Sequence, residues 1–130
     1  MRNILAALLI VLGSASFAQE KEIQATISSQ IEAFGEDDFA TAFTYASPSI
    51  QMLFGSPQRF EMMVKSGYPM VINPRELNYL PLQDLNGIYF QQVQIRDQSG
   101  KLHMLVYQMQ QSGDEWRING VQFVPPDPAA

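Results

Sequence analysis

The apolar residues of this chain change period once. From Ile23 through Ile27 and Ile31 to Phe34 they recur at intervals of four, four and three, whereas Tyr89, Val93 and Ile95 fall on alternate positions. The first pattern turns one face of a helix to a core, and the second turns one face of a strand to it. Helical signals come first and strand signals follow, which predicts an α+β fold: N-terminal helices packed on a curved antiparallel sheet.

The helical half carries its own punctuation. Gly35 is expected to end the first helix in the left-handed conformation, with Gln24, Ser28, Ser29, Gln30 and Glu32 on faces away from the core. Asp37 or Asp38 caps a second helix bearing Phe39, Ala42, Phe43 and Ala46. Ser47-Pro48 and Ser56-Pro57 each pair a hydroxyl cap with a proline at the first helical position, so each opens a further helix. Gly67 closes the last one, Tyr68 is expected to fold back near Met63, and Pro69 forbids continuation.

After the turn at Asn73-Pro74, Glu76 to Leu80 reads as a first strand held to an edge by Pro81. Asn86-Gly87 is a hairpin dipeptide. Strands follow from Tyr89 to Arg96, Leu102 to Gln110 and Trp116 to Val124, joined by turns at Asp97-Gln98-Ser99-Gly100 and Ser112-Gly113-Asp114. In the last strand the apolar phase slips at Gly120, which predicts a bulge that bends the sheet.

The ends point to export. Arg2, the apolar run from Leu5 to Leu12 and the small-x-small site Ser16-Phe17-Ala18 read as a signal peptide over residues 1–18, cut after Ala18. The run is shorter than the ~20 residues of a membrane-spanning helix, so no stable membrane anchor is expected after cleavage. One domain over residues 19–124 and a proline-rich tail over 125–130 account for the rest. A periplasmic or secreted location follows. The chain has no cysteine, so apolar burial must stabilise it without disulfides. Its formal charge of −5, with basic residues scattered singly, argues against nucleic acid as a partner.

The run Gln30-Ile31-Glu32-Ala33-Phe34, then Asp37-Asp38-Phe39-Ala40-Thr41-Ala42-Phe43 and Ala46-Ser47-Pro48, continues in Phe54-Gly55, Phe60, Met63-Val64 and Gly67-Tyr68-Pro69. Over essentially the whole mature chain this resembles an exported bacterial family known as domain of unknown function 4864 (DUF4864). The order of elements, ending in Trp116-Arg117-Ile118-Asn119-Gly120, is also similar to the nuclear transport factor 2-like (NTF2-like, cystatin-like) superfamily. That likeness implies a cone of helices closed by a curved sheet. The family carries no established reaction and lends no catalytic residues.

Chemistry is thinly represented. His103 is the only histidine; as a general base it needs an orienting carboxylate and a pocket, and a half-buried structural role is the simpler reading. Asp37 and Asp38 point about 100° apart at a helix start, so capping explains them better than shared chemistry. With one histidine and no cysteine there is no nitrogen or sulfur ligand set, and neither metal nor cofactor is expected. No Gly-x-Ser-x-Gly elbow or phosphate loop occurs.

Aromatic residues are more suggestive. Tyr45, Phe54, Tyr68, His103 and Trp116 are the candidate lining of a cone pocket for a small apolar ligand, alongside Phe34, Phe43, Phe60, Tyr89 and Tyr107 as pocket or ordinary core. Leu102, Met104 and Val106 share the opposite face of their strand. Apolar residues on both faces require two covers, so a homodimer through the sheet face, or an envelope protein seated there, is expected. The leading expectation is a non-enzymatic ligand-binding or protein-interaction module. The alternative is a small cone-pocket enzyme of proton transfer or hydrolysis using His103, Tyr68, Tyr45 or an aspartate.

Overall fold

The computed structural model describes residues 2–124, with side chains from residue 17 onward. The tail 125–130 lies outside the described residues, and so do nearly all side chains of the expected signal segment. Four helices precede five strands: α1 (Arg2–Gly35), α2 (Phe39–Thr44), α3 (Pro48–Phe54), α4 (Pro57–Gly67), then β1 (Glu76–Tyr79), β2 (Gln83–Leu85), β3 (Ile88–Arg96), β4 (Leu102–Ser112) and β5 (Glu115–Phe123). A single 3-10 turn, Pro69–Val71, extends the helical half beyond the expected stop at Pro69.

The caps behave as their residue types dictate. Asp38 Oδ1 accepts from the Thr41 amide at 3.1 Å and Oδ2 from the Thr41 hydroxyl at 2.7 Å. Those bonds favour the ionised carboxylate, led by the hydroxyl, and hold its pKa down. Ser47 and Ser56 hydroxyls accept from the Ile50 and Arg59 amides, each with proline at the next position.

The corner after α1 differs from expectation. The left-handed residue is Asp37, at φ 58°, and not Gly35. Gly35 is needed for another reason: a Cβ there would stand 2.7 Å from the Asn73 side-chain oxygen, so the helix end packs directly on the loop before β1.

The sheet is open and antiparallel, in the order β1-β3-β4-β5, with β2 also paired to β3 beside β1. Asn86 and Gly87 both adopt positive φ, 58° and 86°, as a two-residue hairpin of the twist-compatible type requires. Between β4 and β5 the register slips where Met109 faces Ile118 and Gln108 faces Gly120, leaving Asn119 as the extra residue of a bulge. Val121 then returns to the inner face opposite Tyr107.

The free edge of β5 is covered. Ile118 donates to the Tyr45 carbonyl at 2.9 Å and accepts from the Ser47 amide at 2.8 Å, while the Tyr68 hydroxyl donates to the Val121 carbonyl at 2.9 Å. The segment between α2 and α3 therefore acts as a short extra strand, pairing in parallel at Ala46 and Ile118. Tyr68 reaches across to this edge and stacks on Phe123.

The core fills the space between helices and inner sheet face. Ile23, Ile27 and Ala42 from the helices and Val93, Ile95 and Leu105 from the sheet are fully buried. Phe60 sits among Phe34, Phe43 and Phe54 at ring separations of 5.3–6.0 Å. Two glutamines join this core. Gln30, expected on another face, is 4% exposed, because at seven residues from Ile23 and three from Ile27 it falls in the middle of the buried stripe. Gln91 is fully buried on the Val93 side of β3; its amide donates to the Leu80 and Gln92 carbonyls, and its oxygen accepts from Gln24.

Candidate functional site

Where α1, α3 and α4 meet the bulged half of the sheet, their aromatic side chains leave a cavity of about 380 Å³, open on one side. Its walls are Phe34, Phe54, Phe60, Met63 and Val64 from the helices and Tyr107, Ile118 and Val121 from the sheet, with Leu53 and Tyr68 also contributing. The bulge shapes one wall: Gly120 lines the cavity, and Val121 is brought into it by the register shift. Every lining side chain is uncharged.

Three polar groups reach this apolar surface. Tyr68 spends its hydroxyl proton on Val121. Gln30 donates through Nε2 to the Ala42 carbonyl at 3.2 Å, and its oxygen has no donor among the described residues. Tyr107 is 1% exposed, and its hydroxyl makes no hydrogen bond there either. Trp116 Nε1 is the only fully enclosed unpartnered side-chain polar atom among the described residues. Tyr107 lines the cavity with its hydroxyl unpaired among the described residues. Burial pushes its pKa up, with Tyr79 and Tyr68 nearby adding to the effect, so it stays a neutral hydroxyl.

The five residues expected to share a pocket are divided among separate places. Phe54 and Tyr68 line the apolar cavity. Tyr45 and Trp116 line a second hollow of about 350 Å³ on the far side of the bridge, with Glu22, Thr26, Asp114 and Arg117. Trp116 packs edge-on against Tyr89 at 5.2 Å, and its carbonyl accepts from the Thr26 hydroxyl. Gln30 and Tyr107, absent from that set, are the polar residues that the structure brings to the apolar cavity.

His103 lies apart, at the β3–β4 hairpin, in a hollow of about 250 Å³ lined by Pro69, Met70, Ile72, Asp97, Gln98 and Ser99. Its Nε2 is 2.8 Å from Asp97 Oδ2. An ionised carboxylate only accepts, so Nε2 carries the proton and Nδ1 keeps its lone pair in the neutral ring. Asp97 Oδ1 also accepts from the Ser99 hydroxyl at 2.6 Å and from the Ser99 and Lys101 amides. The bonds from Ser99 and His103 hold its carboxyl far below the usual carboxylate range.

The trio of Ser99, Asp97 and His103 is not a hydrolytic triad. In such a triad the serine bonds to the histidine, which takes its proton. Here the Ser99 hydroxyl points to the aspartate, so the histidine cannot activate it. The arrangement ties the hairpin turn together. Among the described residues no cluster of three histidine, aspartate or glutamate side chains is placed to hold a metal ion, and no helix is long and apolar enough to cross a membrane.

A family model described as a domain of unknown function, DUF4864, matches residues 16–130. No curated protein and no solved structure matches the chain.

Proposed function

This chain belongs to the DUF4864 family, and we propose that it is a non-enzymatic binding module whose ligand seat is the apolar cavity between the helices and the bulged sheet. The observation that carries this reading is Tyr107, almost wholly buried in the wall of an otherwise apolar cavity, with a hydroxyl that has no partner among the described residues. A volume of about 380 Å³ falls at the small end of ligand pockets, which pair apolar walls with a few polar groups.

The module is further proposed to be exported, cut after Ala18, and to belong to the NTF2-like superfamily. Phe17 and Ala18 are exposed, and the first buried side chain of α1 described is Ile23, so removing residues 1–18 takes nothing described from the core. A homodimer through the outer sheet face completes the proposal. Leu102 is half exposed there, beside Met104, Val106 and Phe90 among glutamines. Val106→Lys should halve the solution mass of such a dimer; an unchanged mass removes it.

One observation favours a second reading, proton transfer at the His103 Nδ1 that Asp97 leaves available. An NMR titration with naphthalene separates the two. Binding in the cavity moves the amide resonances of Phe60, Tyr107 and Val121. Shifts confined to Asp97, Ser99 and His103 would transfer the site to the hairpin, and no shifts would contradict the binding module.

A further inference from the structure

We infer that the cavity selects an uncharged amphipathic molecule, an alcohol, phenol or amide rather than a carboxylate or an amine, and that Tyr107 and Gln30 recognise its polar end. The inference rests on the binding reading above and names the class of molecule that the seat would accept.

Phe34, Phe54, Phe60, Val64 and Val121 offer only dispersion and apolar burial to an occupant. No lysine, arginine, aspartate or glutamate lines the cavity. An ionised ligand group entering it would give up its hydration without gaining a counter-charge, a loss that hydrogen bonds from two neutral side chains do not offset.

The polar groups then set what the ligand must carry. Gln30 uses one N–H on the Ala42 carbonyl, which fixes the orientation of its amide and leaves its oxygen as an acceptor. The Tyr107 hydroxyl has both its proton and its lone pairs available, since it makes no hydrogen bond among the described residues. A group that both donates and accepts can pair with either one; a bare hydrocarbon leaves the hydroxyl and the amide oxygen unpaired. A hydroxyl or amide does this without charge.

The test uses three probes of one size and shape: naphthalene, 2-naphthol and 2-naphthoate, titrated calorimetrically into the protein at neutral pH. 2-Naphthol is expected to bind about tenfold more tightly than naphthalene, the value of one good hydrogen bond, and 2-naphthoate more weakly than either. Tyr107→Phe should lower the affinity for 2-naphthol towards that for naphthalene and leave naphthalene unchanged. Gln30→Met serves as the second variant, with the same expected direction, should the tyrosine variant lose its fold. If 2-naphthoate binds as tightly as 2-naphthol, or if 2-naphthol gains nothing over naphthalene, the selection is overturned while the cavity remains a binding seat. If none of the three binds, the seat itself is overturned and the selection falls with it.

Discussion

Tyr68 and Phe123 lie face to face, with ring centroids 4.9 Å apart and planes 4° from parallel. The pair joins the end of α4 to the end of β5 and stands at the rim of the apolar cavity, which Tyr68 lines. The Tyr68 hydroxyl, donating to Val121, ties the same helix end to the strand edge. Phe123→Ala removes the stack from a residue that is already half exposed. It should destabilise the protein by about 1 kcal/mol in urea unfolding, because an aromatic pair contributes little beyond area at a partly solvated site.

Phe60 is the opposite case. It is 5% exposed and touches three other phenylalanine rings, so Phe60→Ala leaves a void in the helical half. A loss of about 3–5 kcal/mol is expected from the same measurement. A much smaller loss would mean that the helices close over the gap.

Gln91 holds three polar groups inside the core, the Leu80 and Gln92 carbonyls and the Gln24 amide. Gln91→Leu keeps the volume and removes the partners; the Gln92 carbonyl keeps the Leu80 amide as a donor, whereas the half-buried Leu80 carbonyl and the Gln24 amide lose the partner that Gln91 supplies. A destabilisation of about 2 kcal/mol is expected. Amide exchange should quicken first around Leu80, where β1 gives way to β2.

Asp97 gives the hairpin a dependence on pH. Its folded pKa is depressed by hydrogen bonds from Ser99 and His103, so it stabilises the folded state at any pH above the ordinary aspartate value. That contribution disappears as pH falls below about 4 towards the depressed folded value. Asp97→Asn should therefore melt below the parent protein at neutral pH, and the two melting temperatures should converge on acidification. A constant gap between them would assign the stabilisation to packing.

What could be read from the chain in advance was local. Ser47-Pro48, Ser56-Pro57 and Asn86-Gly87 act within four residues of themselves, so their geometry follows from residue type. The slip at Gly120 was legible because strand alternation breaks on the spot. Gln30 was legible in principle: counting from Ile23 and Ile27 places it inside the apolar stripe, and a glutamine there signals a polar group within the core. The Asp97–His103 bond needed the hairpin register, which sets Ile95 opposite His103. Tyr68 depended on where β5 ends, a distance of some fifty residues along the chain that no local pattern spans. The division of Tyr45, Phe54, Tyr68, His103 and Trp116 among separate hollows came from the same source. A cavity is the space that packing leaves, and alternation assigns a residue to a face without saying which gap on that face it borders.

Native mass spectrometry of protein recovered from its producing cells without refolding tests most directly whether the apolar cavity is a ligand seat. The predicted spectrum carries a reproducible small-molecule adduct that is lost on unfolding and is absent from Val121→Trp, whose indole fills the cavity. A bare chain, or an adduct that Val121→Trp retains equally, would contradict the account.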